Sequence, residues 1–301
     1  MLKVENVSKS YGSFLAVDDL SFEVGNGEIF ALLGVNGAGK TTTFRVIIGL
    51  LEKDKGTITL DGKPIDYSVT DKIGFLTEER SLLTKLTVRE QAIYYGVLKG
   101  MKENDILEKL KYWLDRFNVS EYFDKKIKEL SKGNQQKIQF ITAIINEPKL
   151  LILDEPFSGL DPINIEMFMS AIRDLKKTGT SIIFSSHRME HVELFCEKLV
   201  VMMKGQSVLS GSIGEIKKKY RKKNILIKAD LDIKKLESIK GVVSVEEQGD
   251  HHSYVVSIED ESVVDNVFAY IKTCKNVTSF TVEEPTLNEI FISKVGESYE
   301  G

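Results

Sequence analysis

The chain has few cysteines, and their placement excludes two kinds of fold. Its 301 residues include only Cys196 and Cys274, which lie far apart, among apolar neighbours and outside any CxxC pattern. This spacing excludes a framework of several disulfides and a zinc site built from cysteines. We expect both thiols to be buried in a reducing cytoplasm.

An excess of one charge and long apolar runs are also absent. The formal net charge is only -4, with 29% charged residues, so no overall basic field attracts nucleic acid. No apolar stretch reaches the roughly 18 to 20 residues of a membrane-spanning helix, and the first residues lack the apolar segment of a signal peptide. We therefore expect a chain that is soluble by itself and has no nucleic-acid partner. Its length favours two domains.

The most informative stretch covers residues 28–51, where an apolar strand is followed by GVNGAGKTT and an apolar-faced helix. This stretch fits the pattern G-x-x-x-x-G-K-[ST]. Gly37 and Gly39 let backbone N–H groups turn inward, Lys40 adds a cation, and the Thr41 hydroxyl can serve Mg²⁺. The helix directs its positive end at the same place. The sequence therefore predicts a binding site for a nucleoside triphosphate.

Two later apolar strands also end in polar side chains. Residues 149–153 lead into Asp154 and Glu155, and TSIIFSS leads into His187. Carboxylates at the carboxyl end of a strand, facing a phosphate-binding turn, are placed to hold Mg²⁺ and to orient water. We therefore favour a functional role for His187 over that of a loop residue. Ser131 precedes another glycine-containing turn and a helix, which predicts a second anion-binding helix start.

The remaining segments predict the layers around these motifs. Alternating residues 2–7 and 20–24 predict antiparallel strands joined by a loop, in which Tyr11 could lie against a nucleobase. Helical periodicity indicates an all-helical insertion at about 79–147. Residues 220–301 follow the order βαββαβ, which is typical of a ferredoxin-like α+β domain.

Together the motifs resemble the ATP-binding subunit of an ABC transporter, over roughly residues 1–216. GVNGAGKTT resembles the family's Walker A motif, LSKGN its LSGGQ signature, LLILDEP its Walker B motif, SGLD its D-loop and His187 its switch histidine. The resemblance implies an α/β P-loop NTPase cassette in residues 1–219, with an antiparallel β layer and the helical subdomain. The domain at 220–301 resembles the tail of drug-, peptide- and ion-efflux ATPases.

The resemblance also implies a role for each motif residue. Tyr11 would stack on adenine, and Thr41 and Asp154 would serve Mg²⁺. Glu155 would orient or deprotonate the attacking water, and His187 would contact the γ-phosphate. The implied ATP-binding residues are Tyr11, Asn36, Gly37, Ala38, Gly39, Lys40, Thr41, Thr42, Ser131 and Gly133.

Two positions depart from the family's pattern. Glu78 stands where a glutamine usually reaches Mg²⁺ and the attacking water, so we assign it to both the metal and the catalytic residues. Its carboxylate would bring negative charge close to the γ-phosphate. In the signature, Lys132 and Asn134 replace glycine and glutamine, which leaves Ser131 and Gly133 as the expected γ-phosphate contacts.

The resemblance finally implies an assembly. Family members form head-to-tail dimers in which one copy's signature closes the nucleotide bound by the other, so a second ATP-binding subunit, identical or paralogous, is expected. Separate membrane-spanning permease subunits, a place at the cytoplasmic face of the cell membrane, ATP and Mg²⁺ as cofactors, and export of a peptide, drug or ion are also implied. The alternatives are a non-transport ABC ATPase acting on ribosomes or DNA, and a nucleotide-gated regulator without turnover, against which Glu155 argues.

Overall fold

A computed structural model describes residues 1–66, 69–79, 81–219, 223–249 and 252–297. The chain divides into two compact units, residues 1–210 and 211–301. Residues 220–222, where the sequence predicts the second domain to start, lie outside the described residues. Within the described ranges, no helix is both long enough and apolar enough to cross a membrane.

The first unit alternates strands and helices around a parallel sheet. In chain order its elements are β1 (Leu2–Tyr11), β2 (Phe14–Val24), β3 (Ile29–Leu33), α1 (Lys40–Ile47), β4 (Lys55–Leu60), β5 (Lys63–Pro64), β6 (Ile73–Leu76), α2 (Val88–Leu98), α3 (Glu103–Arg116), α4 (Lys132–Ile144), β7 (Leu150–Leu153), α5 (Pro162–Lys177), β8 (Ser181–Ser186), α6 (Met189–Phe195), β9 (Lys198–Met203) and β10 (Gln206–Ser212).

The central sheet places the polar strand ends side by side. Its strand order is β10-β9-β3-β8-β7-β6, and β3 runs parallel to both β8 and β9, as do β7 to β8 and β6 to β7. Every residue of β3, β7 and β8 is buried, which explains their continuous apolar runs. Because parallel strands share one carboxyl edge, Gly34, Thr77, Asp154 and His187 all leave the sheet at the same side.

An antiparallel sheet of order β2-β1-β4-β5 forms the second layer. The loop predicted between residues 7 and 20 is wrong, because β1 and β2 continue through it to a tight turn at Gly12 and Ser13. Register shifts interrupt the pairing, and Asn6 and Asp19 have positive φ angles of 50° and 49°. Such bulges break the alternation of apolar and polar residues that would otherwise indicate continuous strands.

The helices between β6 and β7 form the inserted helical part. Thr87 and Glu90 form a capping box at the start of α2. Phe117, Phe140 and Phe168 pack ring against ring at centroid distances of 4.9 to 5.6 Å. This fully buried aromatic cluster fixes α4 between α5 and the end of α3.

The second unit contains a separate sheet and core. Its elements are α7 (Ile213–Lys219), β11 (Lys223–Asp230), α8 (Ile233–Glu237), β12 (Val242–Glu247), β13 (Ser253–Ile258), α9 (Ser262–Ile271), β14 (Lys275–Glu283) and α10 (Leu287–Glu297). The sheet order is β12-β13-β11-β14 and every pairing is antiparallel. This order matches the predicted ferredoxin-like arrangement. Helix α7 packs against α10 and so belongs to this unit.

The two cysteines have different environments. Cys196 is buried as predicted, and burial raises the pKa of its thiol well above the ordinary value. The prediction that Cys274 is buried is wrong, since this residue is only partly buried. It follows the last turn of α9, where its Sγ lies 3.6 Å from the carbonyl oxygen of Tyr270.

Candidate functional site

A cleft of about 380 Å³ lies at the carboxyl edge of the central sheet. It brings together most of the residues that the motifs predict, from four separate parts of the chain. Phe14 and Ala16 of β2 also line it, although no sequence motif marks them. The lining residues are Tyr11, Phe14, Ala16, Asn36, Gly37, Ala38, Gly39, Lys40, Thr41, Thr42, Glu78, Asp154 and Glu155.

The turn before α1 is built around a buried lysine. The Nζ of Lys40 donates hydrogen bonds to the carbonyl oxygens of Gly34 and Val35, at 2.7 and 3.3 Å. Gly39, with a φ of 105°, stands at the N-terminal cap of α1 and has no side chain to pair with the first N–H groups of the helix. These N–H groups and the ammonium favour a negatively charged group at this point.

Gly39 also sets the distance between the turn and the β1–β2 hairpin. A Cβ atom at this position would lie only 2.4 Å from the carbonyl oxygen of Ala16. Only glycine permits this approach of the two backbones. The hairpin also carries the cross-strand pair Tyr11 and Phe14, whose residues are 46% and 62% exposed. Two accessible aromatic rings therefore stand beside the phosphate-binding turn.

Asp154 is held at both carboxylate oxygens. Thr41 Oγ1 donates a hydrogen bond to Oδ2 at 2.8 Å, and Ser185 Oγ donates to Oδ1 at 2.7 Å. Asp154 is only 2% exposed. Hydroxyl and carboxylate oxygens that meet beside a phosphate-binding turn form a donor set suited to a hard divalent cation.

Glu155 has a strained backbone and two polar contacts. Its φ is 47°, in the left-handed region that residues other than glycine rarely adopt. Its backbone N–H donates to Ser185 Oγ at 2.8 Å, and its Oε2 lies 3.0 Å from His187 Nδ1. Ser185 thus contacts both acidic residues, and the polar end of β8 was the only sequence signal for it. His187 does not line the cleft but directly contacts a residue that does.

Ser131 and Gly133 are not among the residues that line the cleft. Ser131 caps α4, where its Oγ accepts a hydrogen bond from the backbone N–H of Asn134 at 3.3 Å. The nearest atom that a Cβ at Gly133 would meet belongs to Leu160, at 3.9 Å. Glu78, by contrast, lines the cleft, and its assignment to the metal and to catalysis stays a prediction.

Family models match both units of the chain. A model described as ABC transporter matches residues 17–158, and one described as ATP-binding protein DrrA1-3-like, C-terminal domain, matches residues 211–295. A third, described as AAA domain, putative AbiEii toxin, Type IV TA system, matches residues 125–192. The second match covers the same part of the chain as the second compact unit.

Individual proteins give the same result. The chain is 47% identical over 300 residues to the uncharacterized ABC transporter ATP-binding protein YhaQ of Bacillus subtilis, covering 100% of both chains. It is 30% identical over 308 residues to the linearmycin resistance ATP-binding protein LnrL of the same species, covering 99% of each. A solved structure described as the ATP binding subunit of an ABC transporter superposes with a TM-score of 0.70 at 30% identity, over 73% of this chain and 93% of the other.

These matches agree with the motifs and with the geometry of the cleft. They favour a transport subunit over the alternatives of a ribosome- or DNA-directed ATPase and a regulator without turnover. The chain belongs to the ATP-binding proteins of ABC transporters, which bind and hydrolyse ATP to power transport.

Proposed function

We propose that this protein powers export through separate membrane-spanning subunits, as a peripheral subunit at the cytoplasmic face of the membrane. The linearmycin resistance protein is related along nearly its whole length, which supports export of a drug-like or peptide-like molecule. The second unit also matches the C-terminal domain of DrrA-like proteins. We propose that this unit, predicted from the sequence to span residues 220–301, regulates or steadies the dimer and contributes no residue to the ATP site.

The residues of the cleft fit Mg²⁺. Thr41 and Asp154 present oxygen atoms 2.8 Å apart beside the phosphate-binding turn, and Glu78 adds a further carboxylate on the same cleft. Mg²⁺ binds such oxygen donors together with nucleotide phosphates. When bound there, Mg²⁺ would neutralise charge on the phosphate oxygens.

The assignment of Glu155 as the catalytic base rests on its position. It is buried and directly follows Asp154, whose carboxylate is hydrogen-bonded at both oxygens. In the proposed reaction Glu155 accepts a proton from water as the water oxygen bonds to the γ-phosphorus. The bond from this phosphorus to the bridging oxygen breaks, and ADP and phosphate are formed. The Nδ1 of His187, 3.0 Å from Oε2, orients the carboxylate, and the resemblance to the family assigns the γ-phosphate contact to the same side chain. Lys40 and the N–H groups of α1 stabilise the phosphate charge.

The position of Ser131 supports an ATP site that is shared by two subunits. Ser131 caps the N-terminus of α4, where the first backbone N–H groups can donate to an anion. It does not line the cleft of its own chain. We propose that Ser131 and Gly133 contact the γ-phosphate bound by a second ATP-binding subunit. Either a second copy of this chain or a paralogue can supply that subunit.

Mixing two inactive variants tests this arrangement. Lys40→Ala removes phosphate binding in its own chain, and Ser131→Arg blocks closure over the nucleotide of the partner. A mixed dimer carries both lesions in one site and keeps the other site intact, so ATP hydrolysis should recover well above that of either variant alone. Continued inactivity of mixtures that demonstrably contain mixed dimers would contradict the proposal.

A further inference from the structure

Two glutamines of α4 reach loops of the cleft. Gln136 and Gln139 are three residues apart, so they lie on the same side of the helix. They are 8% and 5% exposed. A buried amide is costly unless it is hydrogen-bonded, and both side-chain amides donate hydrogen bonds away from their own helix.

Gln139 holds the segment that carries Glu78. Its Nε2 lies 3.1 Å from the carbonyl oxygen and 3.0 Å from the Oγ1 of Thr77, with the carbonyl oxygen of Glu79 at 3.4 Å and Ser81 Oγ at 3.5 Å. An amide NH₂ group has two hydrogens to donate. The two shortest contacts are both to the residue before Glu78, and a third is to the residue after it. Gln139 therefore fixes the backbone directly before Glu78, and the carbonyl oxygen of Glu79 lies at a longer distance on the other side.

Gln136 holds the backbone beyond the catalytic carboxylate. Its Nε2 donates to the carbonyl oxygen of Pro156 at 2.7 Å. Pro156 directly follows Glu155, whose left-handed backbone requires support from its surroundings. One helix therefore contacts the loops of both Glu78 and Glu155.

A close backbone contact joins the same helix to β6. A Cβ at Gly74 would lie 2.3 Å from the carbonyl oxygen of Ala143, near the end of α4. No side chain fits between the strand and the helix at this point. Since packed interiors transmit displacements rather than absorb them, a movement of α4 carries β6 and the Glu78 segment with it.

We propose that Gln136 and Gln139 are positioning residues that couple the two nucleotide sites of the dimer. The proposal rests on the shared site described above. Ser131 at the start of α4 engages the nucleotide of the partner subunit, while the two glutamines on the same helix place Glu155 and Glu78 in their own chain. Closure over one nucleotide thereby orders the catalytic residues at the other, which is a coupling between two distinct sites.

Methionine substitutions in the full chain test the two contacts. Gln136→Met and Gln139→Met keep an unbranched side chain of similar length but remove the donor. Gln135→Met is the matched control, because the Nε2 of Gln135 donates at 3.1 Å to the carbonyl oxygen of Ile127, which does not line the cleft. For Gln136→Met and Gln139→Met we expect unchanged affinity for a fluorescent ATP analogue. Turnover should be about 10- to 100-fold lower, because the catalytic groups are misplaced. The Hill coefficient for ATP should fall towards one.

Mixed dimers separate positioning from general destabilisation. When one chain carries Lys40→Ala, the other chain supplies Glu78 and Glu155 to the single working site. Gln139→Met should lower turnover when it lies in that second chain and should have little effect in the Lys40→Ala chain. An equal loss in both placements would overturn the proposal, as would turnover and a Hill coefficient like those of Gln135→Met for both test variants.

The outcomes also distinguish this proposal from the one on which it rests. If Lys40→Ala and Ser131→Arg chains complement each other but both glutamine variants behave like the control, the shared site stands and the coupling is wrong. The coupling predicts that this recovery is only partial, because α4 of the Ser131→Arg chain, which supplies Glu78 and Glu155 to the intact site, engages no nucleotide. Complete failure in proven mixed dimers would reject the shared site and the coupling with it.

Discussion

The two units of the chain bury different kinds of side chain. Beyond residue 210, the described buried residues have hydrocarbon side chains, apart from the phenol of Tyr254. Buried polar groups need partners and cost stability, so they concentrate where chemistry requires them. The first unit contains the cleft described above, and the second has an ordinary hydrophobic core. The buried polar residues of the first unit are Glu28, Lys40, Thr43, Gln91, Gln136, Lys137, Gln139, Asp154, Glu155, Thr180, Ser181, Ser185 and Ser186.

The largest expected effect comes from removing one buried charge in the first unit. Glu155→Gln keeps the size and hydrogen-bonding capacity of the side chain but removes the base. Turnover should fall by about 10²- to 10⁴-fold, the usual contribution of a general base, while ATP still binds and dimers accumulate. Steady-state hydrolysis and size-exclusion chromatography with ATP measure the two results.

A surface carboxylate serves as the control for that variant. Glu166 on α5 is exposed and pairs with Arg173, so Glu166→Gln should leave turnover unchanged. Near-normal turnover of Glu155→Gln would show that another group accepts the proton. The buried carboxylate of the first unit would then not explain catalysis.

A cavity in the second unit should affect stability without affecting chemistry. Ile227 is 1% exposed in the core of that unit, and Ile227→Ala should cost about 2–5 kcal/mol of its free energy of unfolding. Because no residue of that core lines the cleft, affinity for a fluorescent ATP analogue should stay the same. Urea unfolding and analogue binding are measured on the same preparation.

The matched variant lies in the central sheet. Ile183 of β8 is fully buried between the strands that carry the phosphate-binding turn and the acidic pair. Ile183→Ala should therefore lower both stability and nucleotide binding. If Ile227→Ala abolished ATP binding in a chain whose first unit stays folded, the separation of the two units would be disproved.

The aromatic hairpin tests the exposed side of the first unit, with the smallest expected effect. Tyr11→Ala should weaken ATP binding by about 1–3 kcal/mol, the range for stacking of a base on an aromatic ring, and Phe14→Ala by less. Tyr112, exposed on α3, provides the control Tyr112→Ala, which should bind ATP normally. Titration with ATP measures the affinities, and an unchanged value for both hairpin variants would exclude a stacking role.

The parts of the fold that sequence predicts well depend on local signals. The turn around Lys40 and the acids after β7 follow from a short apolar strand, the residues at its end and the rule that parallel strands share one carboxyl edge. The capping box of Thr87 and Glu90 likewise needs only four neighbouring residues. Such features require no knowledge of distant segments.

The features that sequence reasoning missed depend on contacts between distant segments. Ser185 contacts an acidic pair about 30 residues earlier, and Gln139 bonds to a segment about 60 residues away, so no local pattern marks either residue. The extent of β1 and β2 was missed because bulges at Asn6 and Asp19 break the alternation. The proposed roles of Ser131 and Gly133 involve a second chain and stay predictions.

The close approach of Gly39 to Ala16 fixes the geometry of the nucleotide site. A Cβ atom at Gly39 would overlap the carbonyl oxygen of Ala16, so the hairpin of Tyr11 and the phosphate-binding turn pack without room for a side chain between them. Backbone packing therefore sets the distance between the aromatic rings and the phosphate-binding turn. A bound nucleotide thus meets a ring and a turn whose separation exists before it binds, so none of its binding energy is needed to bring them together.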